Sequence, residues 1–303
     1  MNYEKLGLVY KASEHKSTWA RHSALTPTPF FHPNGFIRVF CGFRDDVGTS
    51  RIGYVDVTCD DPRVIIGVSK EPALDIGRAG CFDDAGVILG DVVEVDQKLY
   101  MAYVGFQKVE GAKFLAFTGI AVSVDYGEQF FRVSEAPILG RALGQTTIAA
   151  IHSLLFVDGV WRIYYASGDG WEIIDSIPYP RYEICYLEGS DLLDLPRRGS
   201  VVLPALADEY RIGRPRVFSA DGGYWMYYTS GNRRGDYFPG IAASSDGVSW
   251  RRSDEPFPLK LSASGWDSRH LCYPCPLVWN GKTFIFYNGN NMGRDGFGVA
   301  VSL

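Results

Sequence analysis

The residues best suited to proton transfer in this sequence are His152, Asp84 and Asp267. His152 lies in the apolar run 148–156, so it is either a buried histidine bonded to neighbouring backbone or an acid/base group with a pKa near neutral pH. Asp84 directly follows Asp83, and two carboxyl groups in close reach raise the pKa of one of them, as an acid catalyst requires. When the segments 81–86 and 265–270 are aligned, Asp267 falls at the position of Asp83. A repeated position of this kind favours a structural role at the start of a strand, which is the alternative to catalysis for Asp267. These residues predict a site for general acid/base chemistry.

A second set of residues has the chemistry to bind a ligand. Arg214 and Arg216 flank Pro215, and strand alternation places both arginine side chains on one face. They are suited to clamp a carboxylate or a phosphate, and the alternative for at least one of them is a salt bridge. The other candidates follow or begin predicted strands, where an exposed loop or core packing is the alternative. These candidates are Arg44, Asp45, Trp171, His270 and Tyr273.

The cysteines argue against a metal centre. Six of them stand at positions 41, 59, 81, 185, 272 and 275, and the default interpretation is free thiols in a reducing compartment. Cys272 and Cys275 have the CxxC spacing of redox or zinc sites, but a zinc site needs a second pair of ligands. The sequence therefore predicts buried strand cysteines, no metal and no cofactor.

The composition of the chain excludes several classes of protein. Its 303 residues are 46% hydrophobic and 14% aromatic, with a formal net charge of −5, which is globular chemistry rather than disorder. An acidic pI near 5.6 without a basic cluster disfavours nucleic-acid binding. No apolar run reaches the ~18 residues of a membrane span, and the first residues do not resemble a secretory signal. We therefore expect a cytoplasmic protein with neither nucleic acid nor membrane as its partner.

The candidate residues must be positioned by strands, because the sequence repeats an aromatic strand motif five times. Each copy starts at a turn and runs through an aromatic-rich strand to a small residue and glycine. The turns at positions 35, 96, 159, 223 and 281 are separated by 61, 63, 64 and 58 residues. The copies are 35–42, 96–105, 159–168, 223–231 and 281–289.

Each repeat holds about four strands. An apolar strand such as 148–156 or 272–278 precedes the turn, and a third strand such as 119–123 or 240–244 follows the glycine step. The pattern predicts an all-β fold, a five-bladed β-propeller with four antiparallel strands per blade. We expect one domain over 1–303, with blades that start near 24, 85, 148, 212 and 272. A large β-sandwich is the alternative.

The repeats resemble those of the five-bladed glycoside hydrolases of families 32, 43, 68 and 130. The resemblance covers roughly residues 20–303 and is carried mostly by scaffold motifs. They are Asp96-Gln-Lys-Leu-Tyr-Met-Ala-Tyr-Val-Gly105, Ile120-Ala-Val-Ser-Val-Asp-Tyr-Gly127 with Pro137-Ile-Leu139, and Trp266-Asp-Ser268 with Pro276-Leu-Val-Trp-Asn-Gly-Lys282. The resemblance implies a propeller whose reacting groups project into a central funnel.

This chain departs from the family 43 pattern at all three carboxylate positions that the resemblance implies. Blade 1 reads Leu25-Thr-Pro-Thr-Pro29 where an Asp-Pro is expected, and blade 3 has His152 in place of the Asp. Blade 4 has Gly213 at the Glu position, with Arg214 beside it. The family 32 motif is matched only by His32-Pro-Asn-Gly35, which lacks the acid, and Arg44-Asp45 is only faintly similar to family 130.

Three hypotheses for function follow. The first is a carbohydrate-active, glycosidase-like enzyme with a non-standard site, which acts on a cytosolic sugar, glycoside or nucleotide-activated sugar in carbohydrate metabolism or polysaccharide biosynthesis. The second is a non-catalytic propeller that binds a small carbohydrate or activated-sugar ligand. The third is a phosphorylase-like glycosyl transfer in which Arg214 and His152 hold phosphate.

Overall fold

The chain is almost entirely β-structure. The computed structural model describes residues 2–14, 17–206, 208–220 and 222–303. Helical structure within these ranges is limited to a 3-10 turn at Ala12–Glu14 and the single turn α1 at Asn290–Gly293. No helix in the described ranges is long and apolar enough to cross a bilayer.

The strands fall into consecutive hairpin-connected sets. They are β1 Tyr3–Lys11, β2 His22–His32, β3 Phe36–Arg44, β4 Ser50–Thr58, β5 Ile65–Val68, β6 Val87–Val95, β7 Lys98–Val109, β8 Ala112–Ser123, β9 Phe131–Arg132, β10 Ile148–Val157, β11 Val160–Ile174, β12 Ile177–Gly189, β13 Ser200–Leu203, β14 Glu209–Ala220, β15 Gly223–Asn232, β16 Tyr237–Ser244, β17 Arg251–Arg252, β18 Cys272–Trp279, β19 Lys282–Asn288 and β20 Gly296–Ser302.

Strand pairing divides the chain into antiparallel groups of four. One sheet has the order β2-β3-β4-β5, and another has the order β1-β20-β19-β18. A 12-stranded sheet contains the groups β6 to β9, β10 to β13 and β14 to β17. Its groups are joined only by short parallel contacts of β10 with β8 and of β14 with β12. The strands β2, β6, β10, β14 and β18 each begin a group, and we call them the inner strands.

The N-terminal strand completes the last group. Strand β1 pairs antiparallel with β20, so that Tyr3 lies opposite Ser302 and Lys11 opposite Gly296. Residues far apart in the sequence therefore form one sheet, and the edge of β20 is covered. The repeat pattern does not predict β1, because this strand contains no copy of the aromatic motif.

The turns predicted from the repeats are present in the structure. Gly35, Asp96, Gly159 and Gly281 adopt positive φ angles of 84°, 50°, 79° and 73° at the hairpins between first and second strands. In the fourth copy the positive φ of 76° belongs to Gly222, one residue before the predicted position. These left-handed residues give the tight hairpins that the Gly and Asp positions indicate.

A cluster of four residues recurs in three of the four-strand groups. A second-strand tyrosine lies opposite a third-strand glycine, an acid stands at or before the start of the inner strand, and a cation comes from the outermost strand. The cation pairs with the acid at 2.6 to 2.7 Å and covers the tyrosine ring at 5.3 to 5.8 Å. The members are Tyr103, Gly119, Asp83 and Arg132, then Tyr228, Gly240, Glu209 and Arg252, and finally Tyr287, Gly298, Asp267 and Lys5.

The glycine of this cluster makes room for the aromatic ring. A Cβ atom at Gly119 would overlap the Tyr103 ring, which is fully buried. We therefore expect Gly119→Ala to lower the free energy of unfolding by about 1–3 kcal/mol, because the ring cannot move without disturbing the core. Denaturant unfolding of the two proteins measures this difference.

Gly111 provides a matched control in the turn before the same strand. A Cβ atom there has no heavy atom within 4 Å, so Gly111→Ala is expected to change stability by less than about 0.5 kcal/mol. Equal stabilities for the two variants would contradict the packing role of Gly119.

Candidate functional site

Each inner strand carries a β-bulge at an equivalent position. Between Leu89 and Asp91, strand β6 advances two residues while its partner β7 advances one. Strands β2, β10, β14 and β18 contain the same one-residue excess. Bulges re-aim side chains, and here every inner strand contributes at least one residue at its bulge to a common central pocket. We call these five residues the pocket ring: Thr26, Gly90, His152, Arg214 and Tyr273.

Three members of the pocket ring precede a proline and have left-handed backbone conformations. The φ angles are 55° at Thr26, 53° at Arg214 and 57° at Tyr273. Positive φ is unfavourable for residues with a Cβ, and most of all for a β-branched threonine. Backbone strain of this kind is typical of functional sites, where it holds a side chain in a required direction.

The central pocket is narrow and contains no acid. Besides the pocket ring it is lined by Pro27, Thr28, Pro215, Arg216, Pro274 and Cys275, so that none of its described lining residues is Asp or Glu. About 20 Å³ of it is open to the centre of a water-sized sphere, which is room for roughly one water molecule or one oxygen-bearing group.

His152 is held as a neutral hydrogen-bond donor. The backbone N–H of Arg214 donates to its Nδ1 atom at 3.3 Å, and we therefore assign the ring proton to Nε2. Burial and the nearby Arg214 charge lower the pKa of His152 well below its ordinary value. Of the two alternatives that the sequence leaves open for His152, these observations favour the buried histidine bonded to neighbouring backbone over an acid/base group with a near-neutral pKa.

Arg214 is a largely buried cation without an acidic partner. Its Nη1 donates to the carbonyl oxygen of Leu89, and its guanidinium lies 5.4 Å from the centre of the Tyr273 ring. Burial lowers the pKa of Arg214 to about 10. The groups that favour its charged form are Tyr273, Tyr182 and Cys272, and no carboxylate of the described residues contributes. The site therefore presents an uncompensated positive charge.

Two further arginines lie around Tyr273. Burial lowers the pKa of Arg44, at the end of β3, and the only group that favours its charge is Tyr273. Arg211 lies 4.7 Å from the ring of Tyr237, which is in edge contact with Tyr273 at 6.4 Å. Within the described part of the chain, the Nε atoms of Arg44 and Arg211 are buried without a hydrogen-bond partner. Three arginines thus lie around Tyr273, and none of them forms an ion pair with a described carboxylate.

Arg216 has the acidic partner that Arg214 lacks. Its Nη1 forms an ion pair with Asp91, which is fully buried and also accepts the N–H groups of Val92 and Leu154 at 2.8 Å each. The salt bridge that the sequence offers as the alternative for one arginine is therefore made by Arg216. Asp91 was missed by the sequence analysis, although a lone carboxylate inside the apolar run 87–95 is itself a signal.

The three candidates for catalysis are not brought together. His152 lines the central pocket, whereas Asp84 and Asp267 do not. Asp84 accepts the backbone N–H of Gly80 at 2.8 Å and so closes a turn. Asp267 is 2% exposed and is bound to Lys5 and to the hydroxyl of Tyr287, in the repeated cluster described above. These contacts of Asp267 are those of a structural residue, which is the alternative that the sequence offers for it.

Among the binding candidates, Arg214 and Tyr273 lie in the pocket ring and Arg44 lies near Tyr273. His270 is connected through Tyr237, whose ring is 6.3 Å away, and burial lowers the pKa of His270. The remaining two binding candidates, Asp45 and Trp171, do not line the central pocket.

Asp45 and Trp171 serve local structure. Asp45 accepts N–H groups of Val47 and Thr49 and pairs with Arg51 at 2.9 Å, so it organises a turn. The sequence predicts a loop at Trp171, but the structure places it in a strand. Strand β11 continues to Ile174 and forms a long hairpin with β12. Its ring packs against the main hydrophobic core.

All six cysteines are buried and free. Cys272 and Cys275 lie in β18, as predicted, whereas Cys59 and Cys81 lie outside the strands. No group of three or more His, Cys, Asp or Glu side chains in the described ranges has the arrangement of a metal site.

The chain is similar to several known proteins. It is 29% identical over 303 residues to the uncharacterized protein Rv1502 of Mycobacterium tuberculosis, and the match covers 99% of both chains. A solved glycoside hydrolase superposes with a TM-score of 0.76 at 16% identity, over 99% of this chain and 91% of that one. A structure from the GH130 family of mannoside phosphorylases, which contains hydrolases that target β-1,2 mannosidic linkages in Candida mannan, has a TM-score of 0.71 at 16% identity and coverage of 99% and 93%. A thermostable family-43 glycoside hydrolase has a TM-score of 0.68 at 17% identity and coverage of 94% and 91%.

No protein-family model matches the chain. At these identities the solved structures establish the fold, since one fold hosts many activities. The predicted resemblance is confirmed at that level: the chain has the β-propeller fold found in glycoside hydrolases of families 43 and 130.

Proposed function

We propose that this protein binds an acidic saccharide, a sugar that carries a carboxylate or a phosphate group, in its central pocket. The observation that carries the proposal is Arg214, a largely buried guanidinium in the pocket ring that no described carboxylate neutralises. A buried charge without a counter-charge is costly, so its presence is explained when a ligand supplies the opposite charge.

The other polar groups of the site suit an oxygen-rich ligand. His152 offers an N–H donor, and the hydroxyls of Thr26 and Thr28 lie in the pocket lining. Arg44 and Arg211 add positive charge near Tyr273, and guanidinium groups bind carboxylate and phosphate in a forked geometry. The glycoside hydrolase fold supports a saccharide as the class of ligand by analogy.

The size of the pocket suggests how such a ligand binds. The ring has room for one oxygen-bearing group, so the acidic group occupies the ring and the sugar lies above it. Tyr182 and Tyr273 are near Arg214 there and offer aromatic surface to the sugar.

Binding without hydrolysis is the activity that the geometry supports best. Glycosidases use two carboxyl groups on either side of the scissile bond, about 5–9.5 Å apart. The described lining of the pocket has no carboxyl group, and nearby Asp91 is occupied by Arg216 and two backbone N–H groups. The non-catalytic hypothesis is therefore preferred over the glycosidase-like one.

The antiparallel groups of four strands also bear on the number of propeller blades. We propose that each antiparallel group of four strands is one blade, which makes five, and that β1 closes the ring through β20. Five equivalent bulges at one pocket support this arrangement. A cytoplasmic location stays a prediction.

Calorimetric titration tests the proposed ligand class. Glucuronate, N-acetylneuraminate and glucose 1-phosphate are titrated against glucose as the neutral control. We expect at least one acidic sugar to bind about tenfold or more tightly than glucose, because a charge-assisted contact contributes about 1.5–3 kcal/mol. Equal affinity for glucose would contradict the proposal, as would release of product from chromogenic glycosides.

The pH profile gives a second readout. Arg214, with a pKa of about 10, stays charged from pH 6 to 8, and the pKa of His152 lies well below its ordinary 6.5, so that the ring stays neutral. The affinity for a carboxylate sugar should therefore be constant between pH 6 and 8 and fall as the pH rises through about 10. Cleavage of a glycoside that depends on added inorganic phosphate would instead favour the phosphorylase-like hypothesis.

A further inference from the structure

A second cavity, larger than the central pocket, opens beside β1 and the start of β2. It has a volume of about 410 Å³, within the range of sites that hold small ligands. We call it the rim pocket, and its lining residues are Leu8, Lys11, Ser13, His22, Gly265, Trp266, Arg294 and Asp295.

The walls of the rim pocket are fixed by backbone contacts. The N–H of Ser23 donates to the carbonyl oxygen of Arg294 at 3.0 Å, and the N–H of Asn290 donates to that of Trp266 at 2.7 Å. The Trp266 ring stacks on the buried Tyr287 ring at 5.1 Å. The cavity is therefore preorganised, with an aromatic ring as part of its lining.

The charge of the rim pocket is positive. Lys11 and Arg294 form no ion pair with a described residue, and Asp295 is the one acid among the lining residues. Burial, then the charges of Arg44 and Arg294, lower the pKa of His22, and Asp46 and Asp45 act in the opposite direction. Lys11 and Arg294 are therefore the cations that this cavity offers to an anion.

The rim pocket is connected to the pocket ring through β2 and β3. His22 and Thr26 lie on the same strand, four residues and thus at most about 13 Å apart. Arg44 pairs with His22 across the strands and also interacts with Tyr273 of the pocket ring. Arg44 therefore lies between the two cavities, beside His22 of the rim pocket and Tyr273 of the pocket ring.

We infer that the rim pocket is a second oxyanion-binding subsite, where Lys11 and Arg294 hold a carboxylate or phosphate group on a sugar that lies against Trp266. The choice of a sugar as the carrier of this group rests on the proposed function, whereas the subsite itself rests on the lining of the rim pocket. Carboxylate and phosphate share the chemistry of an oxyanion on a sugar ring, and separate probes distinguish them.

The test measures how many probe molecules bind per chain. Glucuronate and glucose 1-phosphate are titrated into the protein by calorimetry, and tryptophan fluorescence is followed in parallel. We expect two sites per chain for at least one probe, and the probe that fills the rim pocket identifies the oxyanion. In Lys11→Met/Arg294→Met one site remains and the other is weakened about tenfold or more. Trp266→Phe should lose the fluorescence change that accompanies rim-pocket binding.

Matched variants separate this inference from the proposed function. Lys282→Met removes an exposed charge outside both pockets and should retain two sites. A single site that is lost in Arg214→Met and unchanged in Lys11→Met/Arg294→Met overturns the inference alone. A single site that is lost in Lys11→Met/Arg294→Met and unchanged in Arg214→Met supports the rim pocket and overturns the proposed function. If neither probe binds, both are overturned.

Discussion

Replacing Arg214 by methionine should weaken the binding of an acidic sugar about 30-fold or more without lowering the stability of the protein. The loss reflects truncation of one partner of a buried charge pair, which costs about 2–5 kcal/mol. The free energy of unfolding should stay the same or rise, because the unliganded protein loses a desolvated charge that no described carboxylate balances. Calorimetric titration and denaturant unfolding measure the two effects.

The choice of methionine isolates the charge. It keeps an unbranched, flexible chain in place of the aliphatic part of arginine and leaves a residue with a Cβ at the same left-handed φ of 53°, so backbone strain is not the variable. Arg214→Lys should retain part of the affinity, since lysine keeps the charge but not the forked geometry. Arg63→Met, which removes an exposed arginine paired with Asp61, is the control. Unchanged affinity in Arg214→Met would refute the proposed site, and a large loss of stability would indicate a structural arginine.

The repeated strands could be predicted because each one carries its own local signal. Tyr103 and Tyr228 sit in aromatic strands bounded by turns with glycine or aspartate, and this pattern depends on neighbours within about ten residues. Strand β1 could not be found in this way, because its partner β20 lies at the other end of the chain. Trp171 was misplaced for a related reason: the strand β11 extends past the glycine step that ends the other copies.

The members of the pocket could be predicted better than their charge states. His152 was singled out because it occupies a position where family 43 glycoside hydrolases are expected to have a carboxylate, and Arg214 because it lies beside another such position. The bulges place both residues in the pocket ring. Which arginine has a counter-charge could not be predicted, since Asp91 is 125 residues from Arg216 in the sequence. Burial sets the pKa of His152, and a sequence does not reveal how completely a strand position is desolvated.

Replacing Asp91 by alanine should destabilise the protein by about 3–5 kcal/mol, the cost of leaving a buried charge unpaired. Asp91 connects three inner strands: it lies in β6, accepts the N–H of Leu154 in β10, and pairs with Arg216 in β14. Removing it leaves a guanidinium and a backbone N–H without their acceptor next to the central pocket. Denaturant unfolding measures the loss, and Asp84→Ala, which affects one turn of half-buried chain, should cost much less.

The partner variant, Arg216→Met, should be destabilised in a pH-dependent way. Burial pushes the pKa of Asp91 upward, and without Arg216 only two backbone N–H groups oppose this effect. The unfolded chain releases this proton near pH 4, so above that pH the folded variant binds the proton more tightly, and stability falls as the pH rises through the pKa of Asp91 in the folded variant. The double variant Asp91→Leu/Arg216→Met should recover part of the loss, because no buried charge remains unpaired. If the two single losses simply add and show no dependence on pH, Asp91 and Arg216 do not act as a pair, and the contrast between paired Arg216 and unpaired Arg214 loses its physical basis.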